Sequence, residues 1–495
     1  MSSVDERPEC SRSARRGGQV ASKTQGADTS EAEASTPLLQ RPAVASQRPT
    51  QTTTRPSRSP FPLLAPLVLI ALLIGAALHT HLIPRTTRDE RATSLLPNAT
   101  LTNGTHAFRR TVILISLDGA KPSDLDAGLA PSLQALGTAS PRSRRARYMQ
   151  PIFPTLTFPN HWTLLTGLFA SSHGVVANDF HDARTGQQFY YTDPARSWEA
   201  RWPRWFQRYE GGWDLEARLA QVLAWIDVER VEDRPGLVCA YVPDIDQAAH
   251  TFGPDSPQAL AAVRNVDAFI ARLHAHLEQR TLTDIVDLVI VSDHGMTSTS
   301  NTKLVYLDDL LGPSLYAKLQ HRDGWPSAGL RFHGTPAEQH TLAHHALRRL
   351  QGLERTGWTV YTRATLPARY HLRSTAVHDR LAPLWIVPDL GWSITTHKEM
   401  AAFSDGVYAP RGNHGYDNAE PEMHAVFVAS GPSFGPLAAA EGKRGNSGGA
   451  RWNMDGFRNV EVHNLVSRIL GVREGKRAPT NGTWSFWDAH LRPGL

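Results

Sequence analysis

The chain has 495 residues, of which 41% are hydrophobic and 20% charged, and its formal net charge is +5. This length and composition allow a large hydrophobic core and more than one domain. Arginine-rich tails contribute to the positive charge, and no basic stripe is interleaved with aromatic residues, which argues against a nucleic-acid scaffold. The two cysteines, Cys10 and Cys239, lie on opposite sides of a long apolar run, so we expect no intrachain disulfide.

Three regions precede the globular part of the sequence. Residues 1–60 are rich in Ser, Thr, Pro, Arg and Ala and poor in aliphatic residues, which predicts a disordered cytosolic tail. The run FPLLAPLVLIALLIGAAL at Phe61–Leu78 carries no charge. With its flank it is long enough to cross a bilayer, so residues 61–83 are predicted to be an uncleaved transmembrane signal anchor. Residues 84–109 are predicted to form a stalk.

The orientation of this anchor is predicted from charge and from glycosylation motifs. The tail before the anchor carries nine Lys/Arg, but the near flanks are balanced, so charge favours a cytosolic N-terminus only slightly. Acceptor sequons for N-glycosylation follow the anchor at Asn98, Asn103 and Asn481. We therefore expect a single-pass type II membrane glycoprotein whose catalytic domain is extracellular or faces the lumen of the secretory pathway or vacuole.

Residues 110–495 are predicted to form one α/β domain. The continuous apolar runs TVILISLDG, GLVCAYVPDID, DLVIVSDHG, APLWIVPD and HAVFVAS are typical of strands buried on both faces, hence of a mostly parallel sheet. Helical periodicity predicts helices at Asp214–Val228, Pro257–Leu277 and Val460–Leu470. An open sheet of this kind, flanked by helices, binds ligands beyond the carboxyl ends of its strands. Residues 437–450 are predicted to be a surface insertion.

Carboxylates and histidines follow several of the predicted strands. Taken singly, an Asp before Gly is typical of a turn, and a lone His is more often a surface or hydrogen-bonded residue than a ligand. Together they predict two mixed nitrogen and oxygen sites, a donor set that zinc accepts. The candidates are Asp118 in SLDG, Asp246 and His250 in DIDQAAH, Asp293 and His294 in SDHG, and His414 in GNHGYDN.

The stretch Pro151–Gly167, PIFPTLTFPNHWTLLTG, supplies a candidate nucleophile. Thr155 and Thr157 lie between prolines, just before a predicted helix at His161–Leu168. The start of a helix favours an anion such as phosphate, but a threonine hydroxyl needs a base or a metal to activate it. Two metals roughly 3.5–4 Å apart would clamp the attacking and leaving oxygens of a phosphoryl transfer. Without the ligand clusters, TFP and NHW would indicate only a turn and a helix cap.

Residues Thr111–Asp488 resemble the nucleotide pyrophosphatase/phosphodiesterase family of the alkaline phosphatase superfamily, in a layout similar to that of fungal type II membrane-anchored members. The segments TFPNHWTLLTGLFASSHGVVAN, VSDHGMTSTS and PRGNHGYDN carry the resemblance, in that order. The resemblance implies an alkaline-phosphatase-like fold and hydrolysis of nucleotide pyrophosphate and phosphodiester bonds through a covalent threonyl intermediate. Nucleoside triphosphates, dinucleotides and nucleotide sugars would be the substrates, and nucleoside 5'-monophosphates the products.

The resemblance also implies two Zn²⁺ ions and a role for each motif residue. One zinc would be held by Asp118 in SLDG and by Asp293 and His294 in SDHG, with the nucleophile Thr157 also counted among the metal residues. The other zinc would be held by Asp246, His250 and His414. Asn178 in HGVVAN matches the family residue that hydrogen-bonds a phosphate oxygen, and Phe158 matches the residue on which the nucleotide base stacks.

One segment departs from the family pattern. Members usually continue after the YTDP-like segment with a G-E-P-[IL]-W-x-T-A helix and a strand ending in W-P-G. Here roughly a strand and a helix are missing or compressed near residues 198–209. Two alternatives to the hydrolase therefore stay open. One is a catalytically impaired family member or binding protein; the other, a phosphoethanolamine transferase of glycolipid anchors, is less favoured because such enzymes usually have many membrane spans.

Overall fold

The computed structural model describes residues 99–191, 214–403, 405–436 and 452–495. Within these ranges, none of the helices combines the length and the apolar character needed to cross a membrane. Several predictions from the sequence concern residues outside the described ranges: the tail at 1–60, the anchor at 61–83, the first part of the stalk at 84–98, the departure at 198–209 and the insertion at 437–450.

The described residues form an α/β domain of short strands and helices. Its strands are β1 Leu101–Thr102, β2 Ala107–Phe108, β3 Thr111–Leu117, β4 Ser143–Arg145, β5 Met149–Gln150, β6 Asp179–Asp182, β7 Gln187–Tyr190, β8 Leu237–Val242, β9 Val286–Val291, β10 Thr297–Ser298, β11 Leu304–Tyr306, β12 Leu319–Asp323, β13 Ala328–Phe332, β14 Trp358–Thr362, β15 Leu384–Pro388, β16 Ser393–Thr395, β17 Gly412–Asn413, β18 Phe427–Ser430 and β19 Phe457–Arg458. Its α-helices are α1 Pro122–Asp126, α2 Pro131–Thr138, α3 Thr157–Thr166, α4 Ala170–His173, α5 Leu215–Ile226, α6 Asp244–Phe252, α7 Pro257–Gln279, α8 Leu307–Tyr316, α9 Pro336–Gln351, α10 His397–Met400 and α11 Glu461–Ile469.

The main sheet has the strand order β4-β18-β9-β3-β8. Strands β8, β3 and β9 are parallel, and all residues of β3 and β9 are buried, as the continuous apolar runs predict. The predicted strand in HAVFVAS is correct in position, but β18 runs antiparallel to both β9 and β4. The sheet is therefore mixed, because an apolar run reports burial on both faces and carries no information about strand direction.

The strand predicted in APLWIVPD is β15, and it does not join the main sheet. It lies in a second, antiparallel sheet with the order β12-β13-β15-β14. Leu384 and Ile386 pack in one hydrophobic cluster, whereas Trp385 and Val387 pack in another. Because both faces of β15 are covered, its sequence is as continuously apolar as that of a parallel strand.

The three helices predicted from periodicity are confirmed as α5, α7 and α11, within a few residues at each end. Local capping explains where two of them begin. The side chain of Asp214 accepts a hydrogen bond from Glu216 N, and the Ser256 side chain accepts one from Ala259 N. Helix α7 then buries an apolar stripe that includes Val266, Ile270 and Leu273 against the main sheet's hydrophobic cluster.

The folded chain begins ahead of the predicted domain boundary at residue 110. Strands β1 and β2 form a hairpin within the part that the sequence assigned to the stalk. Phe108 is buried in the main core, and the Arg234 guanidinium lies over its ring at 4.0 Å from the centroid. The last residues of the predicted stalk are therefore part of the domain.

Cys239 lies on β8, as predicted from the run GLVCAYV, but the residue as a whole is only half-buried. Desolvation of the thiol nevertheless raises the pKa of Cys239 to about 12. A thiol with so high a pKa is almost entirely protonated at neutral pH and is a poor nucleophile.

Candidate active site

Sheet topology brings the separate motifs to one edge of the main sheet. Strands β3 and β9 are paired in parallel, so Asp118 and Asp293, which follow them, emerge at the same edge. Helix α6 starts directly after the neighbouring parallel strand β8 and carries Asp246 and His250 one turn apart. Strand β18 is antiparallel and so begins at this edge, and the segment leading to it contains His414.

Asp118, Asp293 and His294 form what we term the first ligand set. His294 Nε2 lies 3.3 Å from Asp118 Oδ1 and 3.1 Å from Asp293 Oδ2. The Thr157 hydroxyl is 3.2 Å from the same nitrogen. All three side chains of the set are at most 2% exposed. The hydroxyl and the set therefore share one closed, preorganised corner of the site.

Asp246, His250 and His414 form the second ligand set. Asp246 Oδ1 lies 3.4 Å from His250 Nε2 and 3.5 Å from His414 Nε2, and the two nitrogens are 3.1 Å apart. This set is more open, with exposed side-chain fractions of 24% for His250 and 13% for Asp246. The rings of His294 and His414 stack with their centroids 3.6 Å apart, so the two sets are immediate neighbours.

Backbone carbonyls orient the three histidines. The Nδ1 atom of His294 lies 2.9 Å from Gly295 O, that of His250 lies 2.7 Å from Gly412 O, and that of His414 lies 2.9 Å from Thr155 O. A carbonyl oxygen only accepts hydrogen bonds, so each Nδ1 carries the hydrogen and each Nε2 presents a lone pair to the cluster. This is the arrangement that orients histidine as a metal ligand.

The carboxylates supply a test of whether a cation fits here. Asp118 Oδ1, Asp246 Oδ1 and Asp293 Oδ2 are buried and have no hydrogen-bond partner within the described part of the chain. Burial, followed by the nearby charges of Asp246 and Asp293, raises the pKa of Asp118 well above its usual value. Several buried carboxylates side by side are costly unless positive charge compensates them. The donor atoms therefore fit divalent cations in both sets.

Close backbone approach explains one glycine of the motifs. Gly119, which follows Asp118, has φ +71°, and a Cβ there would lie 3.1 Å from Asp246 Cα. The left-handed φ and the tight contact both favour glycine. The SLDG turn thus lets the loop after β3 pack directly against the helix that carries the second ligand set.

Helix α3 begins at Thr157, four residues earlier than predicted. The nucleophile candidate is therefore the first helical residue, where the positive end of the helix dipole lies. The Phe158 N–H donates to Asn178 Oδ1 at 3.0 Å, and Pro159 has no N–H. The helix start consequently offers fewer free amide donors to an anion than the sequence pattern suggests.

Asn178 and Phe158 lie beside Thr157, where the resemblance places substrate contacts. Because the Asn178 carboxamide oxygen is bonded to Phe158 N, its NH₂ group is the end that can donate to a phosphate oxygen. The Phe158 ring packs edge-to-face with Tyr191, with centroids 5.0 Å apart and planes at 69°. The backbone of Phe158 is thus hydrogen-bonded to Asn178, and its ring packs on Tyr191.

Sequence reasoning missed several residues that hold this site together. The Thr155 hydroxyl accepts from Gly415 N at 2.9 Å and donates to Tyr416 O at 3.1 Å, so it fixes the loop around His414. Asn160 accepts from Ile152 N and donates to Pro154 O and Leu156 O, which closes the turn before Thr157. The nearby prolines are the only sequence signal for these roles, since Thr155 lies between two of them and Asn160 directly follows one.

Tyr241 is a further missed residue. It lies on β8, and its hydroxyl donates a hydrogen bond to Asp118 Oδ2, whereas Asp118 Oδ1 is the oxygen near His294 Nε2. The residue is half-buried, and desolvation followed by the charge of Asp118 raises the pKa of its phenol well above the usual value, so it stays a donor. Within the apolar run GLVCAYV nothing distinguishes this tyrosine from an ordinary strand residue.

Comparisons with known proteins agree with this geometry. The sequence pattern of the type I phosphodiesterase/nucleotide pyrophosphatase family matches residues 112–213 and 194–417. The two matched segments overlap at 194–213, around the place where the sequence departs from the family pattern. An uncharacterised pyrophosphatase/phosphodiesterase of Schizosaccharomyces pombe is 33% identical over 419 residues, which cover 77% of this chain and 80% of that protein.

Other relatives are longer. Ectonucleotide pyrophosphatase/phosphodiesterase 1 of Saccharomyces cerevisiae is 26% identical over a match that covers 77% of this chain and 59% of that protein. Ectonucleotide pyrophosphatase/phosphodiesterase family member 1 of Homo sapiens is 28% identical over a match that covers 75% of this chain and 40% of that protein.

Among solved structures, the fold is similar to that of murine ectonucleotide pyrophosphatase/phosphodiesterase 5, with a TM-score of 0.62 and 25% sequence identity. The match covers 77% of this chain and all of the murine chain, which is an inactive threonine-to-alanine form in complex with AMP. Fold, motif positions and relatives thus agree, and the chain belongs to the type I phosphodiesterase/nucleotide pyrophosphatase family of the alkaline phosphatase superfamily, a family of hydrolytic enzymes.

Proposed function

We propose that this chain is a membrane-anchored two-zinc hydrolase that cleaves nucleotide pyrophosphate and phosphodiester bonds through a covalent threonyl intermediate. The observation that carries this proposal is the Thr157 hydroxyl, 3.2 Å from His294 Nε2 at the start of a helix and next to carboxylates and histidines whose donor atoms lie close enough together to hold metal ions. Three of these carboxylate oxygens are buried and have no hydrogen-bond partner in the described part of the chain. Zinc is favoured among cations because each set combines imidazole nitrogen with carboxylate oxygen.

The chain's own residues account for the positioning steps. When bound, the two zinc ions would lower the pKa of the Thr157 hydroxyl and neutralise oxygens of the transferred phosphoryl group. The hydroxyl gives up its proton to solvent, and its oxygen bonds to phosphorus while the bond to the leaving group breaks, so that pyrophosphate or another leaving group departs with the electron pair. Water in turn cleaves the threonyl phosphoester, which releases a nucleoside 5'-monophosphate and restores the hydroxyl.

Two neighbouring side chains would select the substrate. The NH₂ group of Asn178 donates to a phosphoryl oxygen as negative charge develops on it. The ring of Phe158 provides an apolar surface for the nucleotide base. The complex of the murine neighbour with AMP, and the inactivity of its threonine-to-alanine form, support nucleotide binding and a threonine nucleophile in this family. Nucleoside triphosphates, dinucleotides and nucleotide sugars are the proposed substrates.

The membrane location is a separate part of the proposal and is supported by sequence alone. The uncharged run Phe61–Leu78 would anchor the chain, and the domain would lie outside the cell or in the secretory or vacuolar lumen. Two of the three sequons, those at Asn103 and Asn481, lie within the residues that the structure describes. Asn481 is exposed, whereas Asn103 is half-buried and its Nδ2 donates to Arg280 O at 2.9 Å. If the protein is made in a eukaryotic host, a lower apparent mass after glycosidase treatment would support this orientation.

The deciding experiment is hydrolysis of the nitrophenyl ester of thymidine 5'-monophosphate by the purified, zinc-loaded chain. We expect release of nitrophenol and of the nucleoside monophosphate, loss of both after chelation, and recovery when zinc is restored. A chain that retains two zinc ions and binds AMP without hydrolysing the ester would instead be a binding protein. That outcome would point to the departure near residues 198–209 as the cause.

A further inference from the structure

His161 lies one helical turn after Thr157 on α3 and is completely buried. Its two ring nitrogens face two different parts of the active site. Nδ1 is 2.7 Å from the backbone oxygen of Thr157, and Nε2 is 2.8 Å from the hydroxyl of Ser116 on β3. His161 thus joins the nucleophile's own peptide to the strand that ends at Asp118.

These contacts determine where the imidazole hydrogen is. The Thr157 carbonyl can only accept, so Nδ1 carries the hydrogen and donates it. In the resulting Nδ1–H tautomer, Nε2 accepts the hydrogen of the Ser116 hydroxyl. With both nitrogens engaged in this way, His161 has no lone pair to offer a metal and differs in kind from the three histidines of the ligand sets.

The same N–H also faces the first ligand set. Nδ1 is 3.5 Å from Asp293 Oδ2, one of the buried oxygens without a hydrogen-bond partner. On its flank, the His161 ring packs edge-to-face with Tyr241, at 5.3 Å between centroids and 84° between planes. Tyr241 in turn donates to Asp118. His161 therefore contacts the nucleophile's carbonyl, one carboxylate ligand and the residue that holds the other.

We propose that His161 is a positioning residue, which acts through its Nδ1–H to fix the first turn of α3, and with it the Thr157 hydroxyl, against Asp293. This proposal rests on the proposed function for its kinetic consequence. The physical reason is that an in-line attack tolerates little displacement: a misplacement of about 1 Å can cost on the order of 10²-fold in rate.

A pair of variants separates positioning from simple packing. His161→Leu removes both hydrogen bonds, whereas His161→Asn retains an amide N–H near the place of Nδ1. We expect His161→Leu to lower kcat for the nitrophenyl ester by on the order of 10²-fold, with little change in KM or zinc content. We expect His161→Asn to recover most of that loss. Equal impairment of the two variants, or a loss confined to KM or to bound zinc, would overturn the proposal.

His173 provides a matched control on the neighbouring helix α4. It is a half-buried histidine, with Nε2 3.2 Å from the Thr163 hydroxyl and Nδ1 accepting from Val175 N, but neither partner is a ligand or the nucleophile. His173→Leu should lower the melting temperature and leave kcat close to that of the wild type. A fall in kcat as large as that of His161→Leu would overturn the proposal, because it would show that any hydrogen-bonded histidine in this region matters equally.

A second readout does not depend on catalysis. In the zinc-loaded full chain labelled with ¹⁵N-histidine, the His161 ring, assigned by its absence in His161→Asn, should show the neutral Nδ1–H tautomer at pH 7.5. The Nε2–H tautomer, with no hydrogen on Nδ1, would overturn the assignment whatever the kinetics show. If the wild-type chain released no nucleoside monophosphate, the proposed function would fail, and this spectrum would still decide whether His161 donates to Thr157.

Discussion

The two ligand sets are adjacent but are built on different parts of the fold. Asp118 and Asp293 follow paired strands in the middle of the main sheet, and their side chains are at most 2% exposed. Asp246 and His250 lie on helix α6, which follows an edge strand, and His250 is 24% exposed. A set fixed by strand register is preorganised, whereas one carried by a helix and a loop can adjust. We therefore expect the first set to hold its zinc more tightly.

The largest effect should come from the nucleophile, which lies against the first set. Thr157→Ala leaves all six ligands in place, so both zinc ions should stay bound while kcat falls by on the order of 10³-fold or more. Steady-state kinetics together with metal analysis measure both quantities. Thr157→Ser retains a hydroxyl and should keep part of the activity. An unchanged rate in Thr157→Ala would remove the covalent mechanism and favour direct attack by water.

Removing one ligand from each set tests the difference between the sets. Asp293→Ala deletes a fully buried carboxylate of the first set, and we expect loss of activity together with a large fall in melting temperature. His250→Ala opens the second set, which is already partly exposed, and should leave a folded chain with about one zinc. Its rate should fall by on the order of 10²–10³-fold, as when one charge-stabilising group is lost. If His250→Ala unfolded the chain and Asp293→Ala did not, the comparison would be reversed.

Stepwise removal of metal provides a third test, on the wild-type chain. A chelator should remove zinc in two phases, with the more exposed second set emptied first. Burial alone would lower the pKa of His250, but the charge of Asp246 outweighs burial and raises it. In the empty site, His250 therefore keeps its proton to a higher pH than an ordinary histidine, and zinc must displace that proton. Affinity for the second set should therefore fall as pH decreases through that raised pKa. Chelator titrations at two pH values, in which a fluorescent indicator reports the released zinc, measure both the number of phases and their pH dependence. Release in a single phase at both pH values would contradict the expected difference between the two sets.

The empty protein should also be less stable. A ligand that binds only the folded state at about 100 times its Kd stabilises that state by about 2.7 kcal/mol. We expect the melting temperature to fall on chelation in two steps that match the two phases of zinc release. A melting temperature unaffected by chelation would mean that the described carboxylates are not compensated by metal.

The smallest effect is expected for Thr155→Ala. The Thr155 hydroxyl joins Gly415 N to Tyr416 O, and its loss leaves a buried N–H without a partner. The cost is about 1–3 kcal/mol of unfolding free energy. Because this loop carries His414, zinc should be released somewhat faster from the second set only, with a mild loss of activity. If Thr155→Ala rather than Thr157→Ala abolished turnover, the assignment of nucleophile and base platform would be shifted by two residues.

Sequence alone could predict the parts of this site that follow strand ends. The sequence singles out Asp118, Asp246 and Asp293 as candidate ligands because a polar residue after a buried apolar run is conspicuous and because parallel strands end at one edge of the sheet. The direction of β18 and the separate sheet of β15 could not be read, since burial on both faces gives the same apolar pattern in either case. The start of α3 at Thr157 cannot be predicted from the pattern, because proline is typical of a helix boundary and Pro159 lies within the first turn of this helix.

The supporting residues were beyond the reach of sequence patterns. Tyr241 and Ser116 alternate with apolar residues inside strands, and their roles depend on which neighbours the sheet brings beside them. The sequence gives no signal for the contacts of His161, because the backbone atom that its ring bonds belongs to Thr157, one helical turn away. Such roles need three-dimensional contacts between residues far apart in the chain.

The most direct test of two adjacent zinc sites is anomalous diffraction at the zinc edge from crystals of the zinc-loaded chain. The account predicts two peaks roughly 3.5–4 Å apart. One should be bounded by Asp118, Asp293 and His294 beside the Thr157 hydroxyl, and the other by Asp246, His250 and His414. A single peak shared between the sets, or no peak at this edge of the sheet, would contradict the account.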